Sequence, residues 1–317
     1  MARVTVVGGG VVGLTTALEL ARAGHVVRCV RDAPVADTVS ALAGGLWFPY
    51  HVDPRDRVLR WGSVARERFA ALAADPSSGV ALRDGVVVER GAPDRWWTQG
   101  LPGWREAAAH ELPPGATGGV VATVPLVTMP VFLPWLEDRC REAGVELADA
   151  HVEHLDDLDP VAAQVVVVAA GLQSGPLVGD DRGMPSRGQV ALLENPGLHR
   201  WVVDDAHPDG MVYALPHPGW VVCGGTDVEG EWDTEPDPRV HDDIVARVRA
   251  VVPELADAAV LGSRVGLRPV APSVSLAASE RSGRLVVTNH GHGGAGVTLS
   301  WGCAAEVVAL VGKHTAS

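Results

Sequence analysis

Hydrophobic positions along the chain change their spacing several times, and each change marks an element. VTVVGGG at 4–10 is an unbroken apolar run ending in glycines, and HVVRCVRD at 25–32 is a second run. Between them, VVGLTTALELARAG at 11–24 carries Leu14, Ala17, Leu18 and Ala21 at helical spacing, with Gly24 where a glycine ends a helix. The order is strand, glycine turn, helix, strand. Strands that are apolar on both faces belong to parallel sheets covered by helices, and VVVVAAG at 165–171 has the same character. VFLPWLEDRCREA at 131–143 predicts a helix, and GVELADAHV after it predicts another parallel strand. The last unit, 285–312, reads as strand, glycine turn and a helix carrying Val297, Trp301, Ala304, Ala305 and Val308 on one side.

The stretch 52–135 differs. DPRDR, the breaks Pro102-Gly103 and Pro113-Pro114, Trp96, Trp97 and Trp104, and short valine-rich runs at 86–88 and 120–124 predict a meander of strands and loops. Apolar runs at 189–194, 201–203, 211–215 and 220–226, separated by Pro and Gly, predict antiparallel strands, with a helix at 241–252. The expected fold class is therefore α/β, in two domains: a parallel-sheet, Rossmann-like nucleotide domain from 1–50, 135–185 and 265–317, and an antiparallel-sheet substrate domain from 51–134 and 186–264.

Composition narrows the function. The net charge of −13 opposes nucleic acid and anionic lipid, so neither is an expected partner. An apolar fraction of 47% and a mean hydropathy of +0.13 exclude a disordered chain. Cys29, Cys140, Cys223 and Cys303 lack metal-ligand spacing and read as reduced core residues of a cytoplasmic protein. The apolar start breaks at glycines too early for a signal segment or a membrane span, and the C-terminus carries no peroxisomal address.

Three segments carry chemistry. Gly8-x-Gly10-x-x-Gly13, between a strand and a helix, lets the backbone approach a pyrophosphate at a helix N-terminus, and Asp32 at the next strand's end can accept from a ribose hydroxyl. The motif alone does not choose between NAD and FAD. The second glycine-dense turn, Asn289 to Thr298, exceeds what one phosphate contact needs. A flavin ring is the natural occupant, because a helix N-terminus there would stabilise the negative charge of a reduced ring. His290 and His292 lack the companions of a metal site, so no metal is expected. In Gly266-Leu267-Arg268-Pro269, the proline holds the arginine in extended backbone, where its fork can grip a carboxylate.

Taken together these segments resemble the D-amino-acid oxidase family of flavoproteins. The likeness runs through VVGGGVVGLTTALEL, ALAGGLWFPY at 41–50, VVVVAAG, SRGQV at 186–190, VYALP and CGGT near 212–226, GLRPVAP and NHGHGGAGVTLSWGCA. It implies an FAD-binding domain in which Gly8, Gly10, Val11, Val12 and Gly13 meet the pyrophosphate region and Asp32 the ribose. Ala43, Gly44, Gly45 and Leu46 would lie along the flavin and Val152 on the adenine side, with Gly293, Gly294, Ala295, Gly296, Val297 and Thr298 near the ring's pyrimidine edge. Thr38 and Gly171 complete the cofactor set. Arg268 and Tyr213 would hold the substrate carboxylate, and the Gly294 carbonyl its amine.

Two departures stand out: Asp209 replaces a second active-site tyrosine four residues before Tyr213, and Thr288 and His290 replace His and Tyr. The implied reaction oxidises a D-amino acid by hydride transfer to flavin N5, O2 then yielding H2O2, and the imine hydrolysing to a 2-oxo acid and ammonia. The acids Asp204, Asp205 and Asp209 before Tyr213 favour neutral or basic substrates. D-aspartate oxidation, glycine or sarcosine oxidation and, more remotely, NAD-dependent dehydrogenation are the alternatives, and a homo-oligomer is left open.

Overall fold

The structure is a computed structural model that describes every residue except Pro93, Pro160, Ala162, Ala316 and Ser317. The first half runs β1 (Arg3–Val7), α1 (Val11–Arg22), β2 (Val26–Arg31), α2 (Val39–Leu42), α3 (Arg55–Leu72), β3 (Val80–Glu89), β4 (Arg105–Glu106), β5 (Gly118–Val127), α4 (Met129–Glu142) and β6 (Glu146–Asp149). The second half runs β7 (Val165–Val168), α5 (Ser174–Val178), β8 (Met184–Glu194), β9 (Trp201–Asp204), β10 (Val212–His217), β11 (Trp220–Gly224), β12 (Val228–Glu229), α6 (Pro238–Val251), β13 (Val260–Arg281), β14 (Arg284–His292) and α7 (Gly296–Thr315).

Among the described residues the strands form one sheet, β4-β5-β3-β9-β10-β11-β8-β13-β14-β7-β1-β2-β6, with β12 alongside β8. Its β14-β7-β1-β2-β6 portion is parallel, as the apolar runs predict, and all of β7 (VVVV) is buried. From β13 to β9 the pairing is antiparallel. The 22-residue β13 joins the two: its first half pairs with β8 and its second with β14. Arg268 lies near that changeover, opposite Ser186.

Helix α1 ends as its sequence demands. Gly24, at φ 87°, donates to Ala21 O, and the His25 N–H reaches back to Leu20 O, the paired bonds of a glycine-terminated helix. Helix α7 is apolar and long enough to cross a membrane, yet 61% of its apolar window is buried inside the protein, much of it against α1 and α3.

Helix α3 corrects the expected meander at 52–135. Val58, Trp61, Gly62, Ala65 and Phe69 are its buried face, at helical spacing, and they pack in the same core as α1, α4 and α7. Gly302 of α7 lies so close that a Cβ there would stand 2.1 Å from Trp61 O. Pro54 belongs to the helix start rather than a loop. In the same stretch Trp97 is core, whereas Trp104 is 36% exposed. All four cysteines are free and buried.

Candidate active site

A cavity of about 470 Å³ runs from the β1–α1 turn across the β14–α7 turn to Arg268 and Tyr213. At the first end the wall is backbone. Gly8 has φ 125°, and a Cβ there would stand 2.2 Å from Ala169 O; a Cβ on Gly13 would stand 1.9 Å from Gly8 O. Gly13 therefore works one layer behind the cavity, by letting α1 close on β1. Gly8, Gly10, Val11 and Val12 line the cavity. The Val11 N–H donates to Ser40 Oγ at 3.0 Å, while those of Val12 and Gly13 have no partner within the helix, at the positive end of its dipole, where an anion is favoured. Asp32, Thr38, Val152 and Gly171 line the same end. The Asp32 carboxylate is 3.8 Å from His151 Nδ1.

The middle is built by two segments pinned to each other. Ala43, Gly44, Gly45 and Leu46 line one side, and Gly293, Gly294, Gly296 and Val297 the other. Gly44 O accepts from His217 Nε2–H at 3.0 Å, and His217 Nδ1 accepts from the Thr128 hydroxyl at 3.1 Å. Burial lowers the His217 pKa to about 4, and in the neutral ring the Nε2–H that serves Gly44 leaves Nδ1 as the acceptor. Ala295 and Thr298 do not line the cavity. Ala295 is fully buried, and Thr298 Oγ1 donates to Phe48 O at 2.9 Å and accepts from Phe48 N–H at 3.1 Å, so it ties the 46–50 segment to α7. His290 and His292 line the cavity with Nε2 atoms that lack a protein partner. Burial lowers the pKa of both, that of His292 to about 3.

At the far end the wall is side chain. Two glycines make room for it: a Cβ on Gly188 would stand 2.4 Å from Arg268 Nη1, and one on Gly224 would stand 1.8 Å from Tyr213 Cζ. Arg268 Nη1 donates to Thr226 O at 3.0 Å and to Asp227 Oδ1 at 3.4 Å. Tyr213 has its pKa raised by burial, against the opposing influence of the Arg268 charge and N–H groups. Tyr50 packs on Gly294, whose added Cβ would stand 3.0 Å from the ring, and its hydroxyl donates to Asp227 Oδ2 at 2.9 Å. Of the three acids before Tyr213, only Asp205 lines the cavity. Asp204 is buried in a forked pair with Arg90, its carboxylate 2.7 Å from Arg90 Nη2.

This cavity joins a helix N-terminus to a fixed guanidinium. A family model described as FAD dependent oxidoreductase matches residues 3–310. The chain belongs to the FAD dependent oxidoreductase family. The oxidoreductase is 44% identical over 315 residues to the D-amino-acid oxidase of Rubrobacter xylanophilus, covering 98% of this chain and 96% of that one. It is 34% identical over 331 residues to the D-aspartate oxidase of Homo sapiens, covering 98% and 95%. The structure of glycine oxidase from Geobacillus kaustophilus shares its fold, with a TM-score of 0.82 at 19% identity over 98% of this chain and 94% of that one.

The residues present fit FAD. The bare glycine wall, the free N–H groups of α1 and the unpartnered nitrogens of two neutral, buried histidines are what a long, polar, anionic cofactor would satisfy. Sequence reasoning missed Tyr50, His217, Asp227, Gly188 and Gly224 as parts of this site. Tyr50 stands in the ALAGGLWFPY segment, beside the residues singled out for the flavin. Gly188 and Gly224 stand in the SRGQV and CGGT segments, where only strand pairing shows which side chain each admits, and His217 and Asp227 have no local signal because their partners are far away in the chain.

Proposed function

We propose that the oxidoreductase is a D-amino-acid oxidase, converting a D-amino acid, O2 and water to a 2-oxo acid, ammonia and H2O2. One observation carries the reading: Arg268, Tyr213 and Gly294, from β13, β10 and the β14–α7 turn, converge at the end of the cavity opposite the β1–α1 turn. FAD, when bound, supplies the redox chemistry, taking two electrons from the substrate and passing them to O2. Arg268 turns its remaining N–H donors to the substrate carboxylate, and the Tyr213 hydroxyl adds one more. The Gly294 carbonyl accepts from the amine. Three fixed contacts on two groups orient the Cα–H of one enantiomer toward the cofactor. The apolar wall of Val190, Val203 and Leu215 keeps water from the reacting carbon.

The substrate side chain is neutral or basic. Asp205 sets a carboxylate beside the binding end, and the other arginine on this face of β13, Arg264, lies four residues from Arg268, ~13 Å along an extended strand, beside Leu42 and Ala43. That is too far to share a second carboxylate with Arg268. The buried, free cysteines fit a reducing cytoplasm.

The decisive experiment is anaerobic mixing of the yellow, FAD-loaded protein with D-Ala and with L-Ala. D-Ala bleaches the flavin absorbance and L-Ala does not. Bleaching by neither enantiomer, or equally by both, overturns the assignment.

A further inference from the structure

Asp227 lines no part of the cavity, yet it organises the substrate end. Its Oδ1 accepts from Ser186 Oγ and from Arg268 Nη1 at 3.4 Å, and its Oδ2 accepts from Tyr50 Oη at 2.9 Å, with His51 Nδ1 at 3.7 Å. The placement follows from the sheet. Ser186 of β8 stands opposite Arg268 of β13, and β12, which begins next to Asp227, pairs with β8 at Arg187. The carboxylate and the guanidinium are each only about a fifth exposed, at 20% and 18%, so the contact is shielded from solvent.

A carboxylate can only accept and a guanidinium can only donate. Tyr50 therefore commits its single proton to Asp227 and turns only lone pairs to the rest of its surroundings. Tyr213, whose charged neighbour is the donor-only Arg268, keeps its own proton for a ligand. The two tyrosines of this chain thus have opposite polarity. Tyr50 packs directly on Gly294, whose carbonyl is the proposed amine acceptor.

We infer that Asp227 is a positioning residue that makes Tyr50 a second acceptor for the substrate amine and reserves the carboxylate for Arg268 and Tyr213. The inference rests on the amino-acid reading above and goes beyond it by assigning Tyr50 to the amine and not to the carboxylate. Donation to a carboxylate also polarises the Tyr50 oxygen and strengthens it as an acceptor.

The test uses the FAD-loaded enzyme and two ligands that differ in the amine: D-Ala, followed by its KM and kcat, and benzoate, a carboxylate without an amine, followed by the change in flavin absorbance on binding. In Asp227→Asn the amide oxygen can still accept from Arg268 and Ser186, while its NH2 faces Tyr50, reverses that hydroxyl and removes the negative charge beside Arg268. The expected result is a crossing of signs: KM for D-Ala rises about tenfold, kcat changes less, and benzoate binds several-fold tighter. Asp227→Glu, which restores the acceptor and charge, brings KM back toward the wild-type value. Tyr50→Phe raises KM for D-Ala by a similar factor without weakening benzoate, whereas Tyr213→Phe weakens both ligands.

If Asp227→Asn weakens both ligands together, or moves neither, the residue is merely structural and the inference is wrong. Should that variant fail to hold FAD, an unchanged KM in Tyr50→Phe overturns the inference independently. A wild-type enzyme that D-Ala cannot reduce would instead defeat the amino-acid reading itself, so the two failures are separable.

Discussion

The two ends of the cavity are made of different material. At the cofactor end, backbone does the work: Gly8 and Gly13 bring β1, β7 and α1 so close that a single added methyl would overlap a carbonyl, and the first-turn N–H groups are left without helix partners. At the proposed substrate end, side chains do the work. Arg268, Tyr213, Tyr50 and Asp227 come from four separated segments and are held by hydrogen bonds across β8, β12 and β13. A backbone-built site depends on a short contiguous motif, whereas a side-chain-built site depends on register. The first should fail by losing the cofactor and the second by losing the substrate.

The largest expected effect tests that division directly. Arg268→Leu removes the ionic donor and leaves the Asp227 carboxylate without its guanidinium, so kcat/KM for D-Ala falls about a thousandfold, equivalent to ~4 kcal/mol, while the purified protein stays yellow. Loss of FAD in that variant would break the contrast. Gly13→Ala is its counterpart: a Cβ 1.9 Å from Gly8 O forces α1 off β1, and FAD affinity falls about a hundredfold, or ~3 kcal/mol, as flavin fluorescence titration would read.

A third effect concerns the segment between the ends. His217 is neutral in the fold, with a pKa near 4, while in the unfolded chain it takes up a proton near pH 6.5. Because the unfolded state binds the extra proton, stability falls as the pH drops through this window, by ~3 kcal/mol once it has been crossed. In His217→Gln that share of the acid sensitivity disappears, which urea unfolding at pH 7 and pH 4.5 measures. Gly224→Ala comes next: its Cβ displaces the Tyr213 ring, raising KM for D-Ala by about tenfold to thirtyfold with FAD content unchanged. The smallest effect belongs to Asp205→Asn at the cavity wall, where loss of one charge shifts the ratio of kcat/KM for D-Lys over D-Asp by about fivefold toward D-Asp.

What could be read from the chain alone follows the same division. The parallel strands, the β1–α1 turn and the β14–α7 turn were legible because each is a local pattern in which apolar run, glycine turn and helical face all agree. Arg268 was singled out by its place before a proline and Tyr213 through resemblance alone, and resemblance supplied the role of both, since an arginine before a proline has many ordinary uses. Helix α3 was readable in principle, from Val58, Trp61, Ala65 and Phe69, but Pro54 and Gly62 resemble loop punctuation until the fold shows Pro54 at the helix start and Gly62 on the buried face beside Trp47. The acids before Tyr213 look equivalent in sequence, and only the fold separates Asp204, buried against Arg90, from Asp205 at the cavity wall.

The sequence by itself determined the α/β class, the glycine turns and the apolar core, because backbone conformation and hydrophobic periodicity are properties of neighbouring residues. The tertiary structure decided which polar groups meet. Asp227 reaches Tyr50 across 177 positions and Arg268 across 41, and His217 reaches Gly44 across 173, separations that carry no local trace. Hydrogen bonds act over about 3 Å, so which partner receives a tyrosine's proton is settled only when the fold has brought that partner within this distance.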